Sequence, residues 1–196
     1  MKLIPVGISG RHVHVSKEHL ETLFGPNYTL TVMKDLSQPG QYAAMEKVDV
    51  ISPSGKKLEG VRILGPVRPA TQLEITQSDA IRYKFQAPVR SSGDIKETGG
   101  AILIGPKGQV EIHEGVIIAD RHIHFSPEDA KKYGIVDRQV VSLKVGGIKP
   151  GILDQVLCRV HPTFSLDCHL DTDDASAFLL NTGDMVEIVK SYTINE

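Results

Sequence analysis

Two short segments of the chain carry histidines at a spacing that suits a metal ion. His12 and His14 flank Val13, and His122 and His124 flank Ile123. On an extended backbone, side chains two residues apart share a face, so each pair presents two imidazoles side by side. Imidazole nitrogen suits zinc, and a catalytic zinc commonly takes three protein ligands and keeps one position open. Third ligands stand at matching places downstream, Glu74 in the first half and His169 in the second. The chain therefore offers two three-ligand sets, His12/His14/Glu74 and His122/His124/His169. A lone His-x-His is more often a solvated or hydrogen-bonded pair. These two rise above that reading because all three positions of one set fall in register with the other, and one zinc-ligand type replaces another at the third position.

The register comes from an internal echo. Gly7-Ile8-Ser9-Gly10-Arg11-His12-Val13-His14-Val15-Ser16 returns as Ile117-Ile118-Ala119-Asp120-Arg121-His122-Ile123-His124-Phe125-Ser126. Leu73-Glu74-Ile75-Thr76-Gln77-Ser78-Asp79-Ala80 aligns without a gap to Cys168-His169-Leu170-Asp171-Thr172-Asp173-Asp174-Ala175. Two echoes in the same order point to duplication of a unit of roughly 90 residues, closer to a small domain than to a solenoid repeat.

One cation stands out near these sets. Arg68 sits in Pro66-Val67-Arg68-Pro69, a rigid loop shortly before Glu74. A guanidinium binds phosphate bidentately, and a fixed loop limits the entropy lost in doing so. Arg11 and Arg121 point away from their neighbouring histidines on an extended chain and read as structural. Among the other histidines, His19 on a helix and His113 beside Glu111 and Glu114 are expected to face solvent, whereas His161 in a loop can support a metal ligand from behind. Cys168 alternates with His169 and so faces the core, and Cys158 reads as a buried strand residue. Neither cysteine has the basic neighbour that a thiolate nucleophile wants.

The elements that must hold these residues are mostly strands. Runs at 48–52 and 57–64 flank Pro53-Ser54-Gly55, and runs at 101–104 and 109–113 flank Gly105-Pro106-Lys107-Gly108, the hairpin pattern. Short helices are expected near 17–24, 78–84, 127–133 and 172–180. Ser16 and Ser126 are good N-caps, and Pro127 suits a first helical position. The fold class is mainly β, two similar small β-barrel domains from an internal duplication with short capping α-helices. The expected boundaries are 1–90 and 101–196 with a polar linker at 91–100, the chain ends being free to exchange between barrels.

Composition removes several functions. A formal net charge of −2 gives no broad basic face for nucleic acid. No apolar run approaches the ~20 residues of a membrane helix. The chain has 2 cysteines and no C-x-x-C, which suits a reducing cytosol. Phosphate-loop, dinucleotide and G-x-S-x-G signatures are missing.

The sequence resembles the phosphate propanoyltransferase family, the PduL-type phosphotransacylases. The resemblance rests on Pro5-Val6-Gly7-Ile8-Ser9 with Arg11-His12-Val13-His14, on 34–44 (KDLSQPGQYAA), and on Val61-Arg62-Ile63-Leu64-Gly65-Pro66. It continues through Gly115-Val116-Ile117-Ile118-Ala119 with Arg121-His122-Ile123-His124, and His169-Leu170-Asp171-Thr172-Asp173. It implies two barrels with a two-zinc site, and transfer of a short acyl group such as propanoyl or acetyl between coenzyme A and inorganic phosphate. The six ligands above are the implied metal residues, and Arg68 is the implied phosphate-binding and catalytic arginine. Coenzyme A contacts are implied at Ile8, Ser9, Gly10, Arg62 and Ser176, and at Lys56 or Lys57. Gly10 and Ser176 stand where family members usually carry Asn. Members sent to bacterial microcompartments carry an extra N-terminal helix. This chain begins almost at its first strand, so the expectation is a cytoplasmic enzyme, with self-association left open. Two rivals remain: a two-zinc hydrolase of a thioester or phosphoester, and a non-enzymatic zinc-binding barrel.

Overall fold

Each histidine pair is delivered by the same local plan: a β-branched strand, a tight step, a short histidine strand and a capped helix. In a computed structural model, which describes residues 2–192, the first plan is β1 (Leu3–Ser9), β2 (His12–His14) and α1 (Lys17–Phe24). Then come β3 (Val32–Asp35), β4 (Tyr42–Ile51), β5 (Lys57–Gly65), β6 (Gln72–Glu74), α2 (Gln77–Tyr83), β7 (Val89–Arg90) and β8 (Gly99–Ile104). The second plan is β9 (Gln109–Ala119), β10 (His122–Phe125) and α3 (Pro127–Tyr133). It is followed by β11 (Val140–Val145), β12 (Gly151–Val160), β13 (Asp167–Asp171), α4 (Thr172–Phe178) and β14 (Met185–Tyr192).

The strands close into two rings. One runs β4-β5-β2-β6-β9-β8 and back to β4, with β3 and β7 added at its margins. The other runs β11-β12-β10-β13-β1-β14 and back to β11. Position by position the two rings match in order and in direction. The histidine strand lies parallel to one neighbour and antiparallel to the strand bearing the third ligand, and that strand is in turn parallel to the next. Closure leaves no open edge in the ring itself.

By contact density the chain divides into two units. One holds Gly10–Leu36 and Gly40–Ala119; the other holds β1, Ser37–Pro39 and the chain from Asp120 onward. The first strand of each plan thus pairs away from its own histidines: β9 enters the ring of β2, and β1 enters the ring of β10. The polar stretch 90–100 lies inside the first unit, where it forms a turn at Ser91–Asp94 and runs into β8.

Alternating side chains fill each barrel. In β4, Val48 and Val50 are buried while Lys47 and Asp49 alternate outward. The first core is built from Val13, Val50, Leu58, Ile63, Leu73 and Leu103, and the second from Ile4, Val6, Ile123, Phe125, Leu143 and Leu170. The helices, of seven or eight residues, are too short to persist alone. Each is fixed at its start by a side-chain oxygen accepting a backbone N–H: Ser16 from His19, Thr76 from Asp79, Ser126 from Asp129 and Asp171 from Asp174. These caps set the starts of α1 and α3 at the expected residues, and they start α2 one residue earlier than the apolar pattern suggests. Leu179 in the left-handed region ends α4 at Phe178, short of the expected 180. No helix among the described residues is long and apolar enough to cross a membrane.

Candidate metal centres

In the first barrel, antiparallel pairing of β2 with β6 sets His12 opposite Glu74 and His14 opposite Gln72. The His12 Nδ1–H donates to the Gly10 carbonyl at 2.9 Å, and the His14 Nδ1–H to the Leu64 carbonyl at 3.1 Å. These bonds fix the tautomer and leave Nε2 of each ring turned inward. The two Nε2 atoms lie 3.3 and 3.8 Å from the Glu74 carboxylate oxygens. All three side chains are buried, and the three donor atoms lie within 4.8 Å of one another.

Burial sets the charges here. Burial first, and then the charges of His12 and Arg68, push the His14 imidazole down to about 3. For Glu74 burial works to raise the carboxyl, but His12, His14 and the Ser92 hydroxyl outweigh it and hold it well below the usual carboxylate range. His12 moves the other way: burial would lower it, yet the charge and hydrogen bond of Glu74 raise it. The site therefore holds a carboxylate and a neutral His14, two donors ready for a cation.

The second barrel repeats the arrangement. Antiparallel pairing of β10 with β13 sets His122 opposite His169. The His122 Nδ1–H donates to the Asp120 carbonyl at 2.7 Å, as His12 does to Gly10. The rings of His122, His124 and His169 stand 4.6–5.1 Å apart, and their donor atoms again fall within 4.8 Å. Both ring nitrogens of buried His124 lack a hydrogen-bond partner. Its proton affinity falls to about 2, through burial first and then the nearby His122, His169 and Arg159. His169 Nε2 lies 3.1 Å from an Asp167 oxygen but without the alignment of a hydrogen bond. The Ser37 hydroxyl donates to that same oxygen. At Gly7 on β1 a Cβ would stand 2.6 Å from the Asp167 carboxylate, so a larger residue there would push that carboxylate aside.

Orphaned buried imidazole nitrogens are costly unless something occupies them. Two or three imidazoles, with or without one carboxylate, form a donor set for a transition-metal ion, and both sets fit one.

Arg68 stands close to the first set. Its backbone N–H bonds the Val15 carbonyl, and its guanidinium donates to Ser92 Oγ at 3.1 Å. The Ser92 hydroxyl in turn donates to Glu74 Oε1 at 2.7 Å. Arg68 also borders an open groove of about 820 Å³, lined by Lys17, His19, Thr71, Ile95 and Glu114 among others.

Behind the ligands, each unit carries an equivalent ion pair. Arg11 meets buried Asp79 at 2.8 Å, and Arg121 meets Asp174 at 3.5 Å. These two arginines tie the histidine strand to the helix that follows the third ligand, the structural role their alternation suggests. His113 is exposed, as its setting suggests. His19 is not simply solvated, for its Nδ1 shares a 2.7 Å hydrogen bond with Thr71 Oγ1 in a half-buried position. His161 is exposed and meets Phe164, which stacks on His124 at 4.1 Å. Cys158 and Cys168 are fully buried, and burial pushes the Cys158 thiol up to about 12.

The positions at which the resemblance implies coenzyme A contacts are spread through both units. Ile8 and Ser9 end β1, Gly10 supplies the carbonyl for His12, and Arg62 pairs opposite His12 on β5. Lys56 in the β4–β5 turn donates to the Arg82 carbonyl, Lys57 pairs with Asp49, and Ser176 is exposed on α4. Sequence reasoning missed Gln72, Ser92, Ser37 and Asp167. Gln72 and Asp167 each lie two residues before a third ligand, so strand alternation was the available signal. Nothing local marks Ser37 or Ser92.

Two six-stranded barrels of matching topology, each with a three-donor set that could hold a metal ion, define a double-barrel protein built around histidine strands. A profile of the phosphate propanoyltransferase family matches residues 5–181. The phosphate propanoyltransferase of Thermotoga maritima is 53% identical over 188 residues, 95% of this chain and 89% of its own. That of Priestia megaterium is 48% identical over 181 residues, covering 92% and 83%. That of Lachnoclostridium phytofermentans is 45% identical over 186 residues, covering 95% and 87%. The chain belongs to the phosphate propanoyltransferase family and is an acyltransferase.

Proposed function

We propose that the protein is a zinc-dependent phosphate acyltransferase, converting a short-chain acyl-CoA such as propanoyl- or acetyl-CoA and inorganic phosphate to acyl phosphate and CoA. The observation that carries this reading is the adjacency of Arg68 to Glu74, with one hydroxyl between them. An anion-binding guanidinium beside a three-donor set is what a reaction between phosphate and a polarised carbonyl needs.

His12, His14 and Glu74 would hold one zinc ion, and His122, His124 and His169 a second. Zinc bound there supplies Lewis acidity to a thioester oxygen or a leaving thiolate. Arg68 binds phosphate and orients one oxygen towards the thioester carbon, lowering the entropic cost of joining two substrates. That oxygen forms the new C–O bond, the C–S bond breaks, CoA leaves with the electron pair, and the phosphate proton passes to solvent or thiolate. Arg68 offsets charge throughout. Attack is direct in this scheme: both thiols are buried and protonated, and the Ser92 hydroxyl proton is committed to Glu74. Ile8, Ser9, Gly10, Lys56, Arg62 and Ser176 are the proposed coenzyme A contacts, and the cytoplasm the proposed compartment.

The test is release of CoA from acetyl-, propanoyl- and butanoyl-CoA by purified protein, with and without phosphate and with and without chelator. Release that needs phosphate and stops on chelation is expected. Release that ignores phosphate would make the protein a hydrolase, and none at all would leave the non-enzymatic barrel.

A further inference from the structure

We infer that Ser92 is a positioning residue that locks the phosphate-binding arginine to the carboxylate ligand of the first metal set, a role that rests on the function proposed above. A serine hydroxyl has one proton to give and two lone pairs to accept with. Every one of these is used. Ser92 Oγ donates to Glu74 Oε1 at 2.7 Å, accepts from Arg68 Nη1 at 3.1 Å, and accepts from Gln72 Nε2 at 2.9 Å. Gln72 is equally committed: its amide NH2 also donates to Glu74 Oε1 at 2.6 Å, and its carbonyl accepts the Gly93 N–H at 2.8 Å. Gln72 is buried, two residues before Glu74 on the same face of β6.

The circuit closes on itself. The Gly93 N–H holds the Gln72 amide, the amide holds Ser92 and Glu74, and Ser92 reaches Arg68. Because the Ser92 proton goes to a carboxylate, its lone pairs are left to face the donors Arg68 and Gln72, and no other rotor orientation satisfies all three. One atom therefore sets both the orientation of Glu74 towards a metal and the place of the guanidinium that receives phosphate. Groups that orient a metal ligand typically change metal affinity by about 10–100-fold when removed. The stretch that supplies Ser92 and Gly93 is polar and glycine-rich, the composition of a linker, yet it delivers a hydroxyl that Arg68 and Glu74 share.

The experiment compares wild type, Ser92→Ala and Ser92→Thr in the full-length protein. Ser92→Ala is expected to raise KM for phosphate by about 10-fold while KM for the acyl-CoA changes less than about 2-fold. In chelator competition it is expected to weaken one of the two bound zinc equivalents by about 10-fold and leave the other unchanged. Ser92→Thr keeps the hydroxyl at a half-buried position, so both properties should return. Wild-type values for Ser92→Ala in both measurements would overturn the inference. So would a general fall in melting temperature and in both substrates' kinetics that Thr does not rescue. Wild-type protein without phosphate-dependent CoA release would overturn the proposed function instead, and the zinc competition would then decide the Ser92–Glu74 link alone.

Discussion

Arg68 and the ligands around it make separable demands, and substitution can separate them. Arg68→Ala removes the guanidinium but none of the six candidate metal donors. Phosphate-dependent turnover should fall by about 100-fold or more, in the range lost with a transition-state charge partner, while zinc content stays at the wild-type level. Zinc lost along with Arg68 would show that the arginine holds the site together and does not serve phosphate. The buried imidazoles give a second test on metal-stripped protein. His14 and His124 sit at about 3 and about 2, against an ordinary 6.5. The unfolded chain takes up those protons first, so the stability tied to their neutral forms is present above 6.5 and lost as pH falls from 6.5 towards 3. The depressed Glu74 acts in the same direction below its ordinary range, and raised His12 contributes stability that fades only as pH rises. The urea midpoint of the stripped protein should therefore be lower at pH 5 than at pH 6.5. The thiols make a third case. With both cysteines fully buried and the Cys158 thiol pushed up to about 12, iodoacetamide at pH 8 should modify neither until denaturant is added, as mass spectrometry can read.

At the scale of elements, the site depends on how a histidine strand is bound to a distant strand-to-helix turn. His12 meets Glu74 and His122 meets His169 because each pair is directly opposite in an antiparallel ladder. Arg11–Asp79 and Arg121–Asp174 fasten the same two elements from behind. Arg11→Ala leaves buried Asp79 without its guanidinium and should cost about 2 kcal/mol, less than for a pair buried at both ends. Loss of the Thr76 cap should cost about 1 kcal/mol in the same urea titration. The sequence made the two three-residue groupings legible at this scale, since i, i+2 spacing and the repeat register are both local patterns. It left Ser92 and Ser37 unread for a physical reason. Each reaches its carboxylate from a distant segment with no periodicity of its own, so only the folded chain brings the partners together. His19 was misread in the same way, because Thr71 lies across a loop from its helix.

Across the whole molecule, the barrel character and the matching order of features were visible in the repeat and in short strands broken by glycine and proline. Which ring each opening strand enters was less visible. β1 and β9 are both apolar, β-branched runs just before an Arg-His-x-His, and either ring offers them the same ladder. The observed pairing makes the second ring depend on residues from the chain's start: Val6 pairs with Cys168 and Leu3 with Glu187. A fragment beginning at residue 120 lacks β1 and should remain unfolded by far-UV circular dichroism. The same fragment with residues 1–9 joined through a flexible linker should regain β-structure.

This pairing also orders events as the chain leaves the ribosome. β1 is made well before both of its ladder neighbours, β13 and β14. Ile4 and Val6, which finish in the core of the second barrel, have no ladder partner until those strands emerge. The barrel around His12 can close once β9 has emerged, so the nascent protein holds one finished barrel and one apolar strand without a home. Translation speed and chaperone supply should then govern the yield of active enzyme more than the final stability of either barrel does.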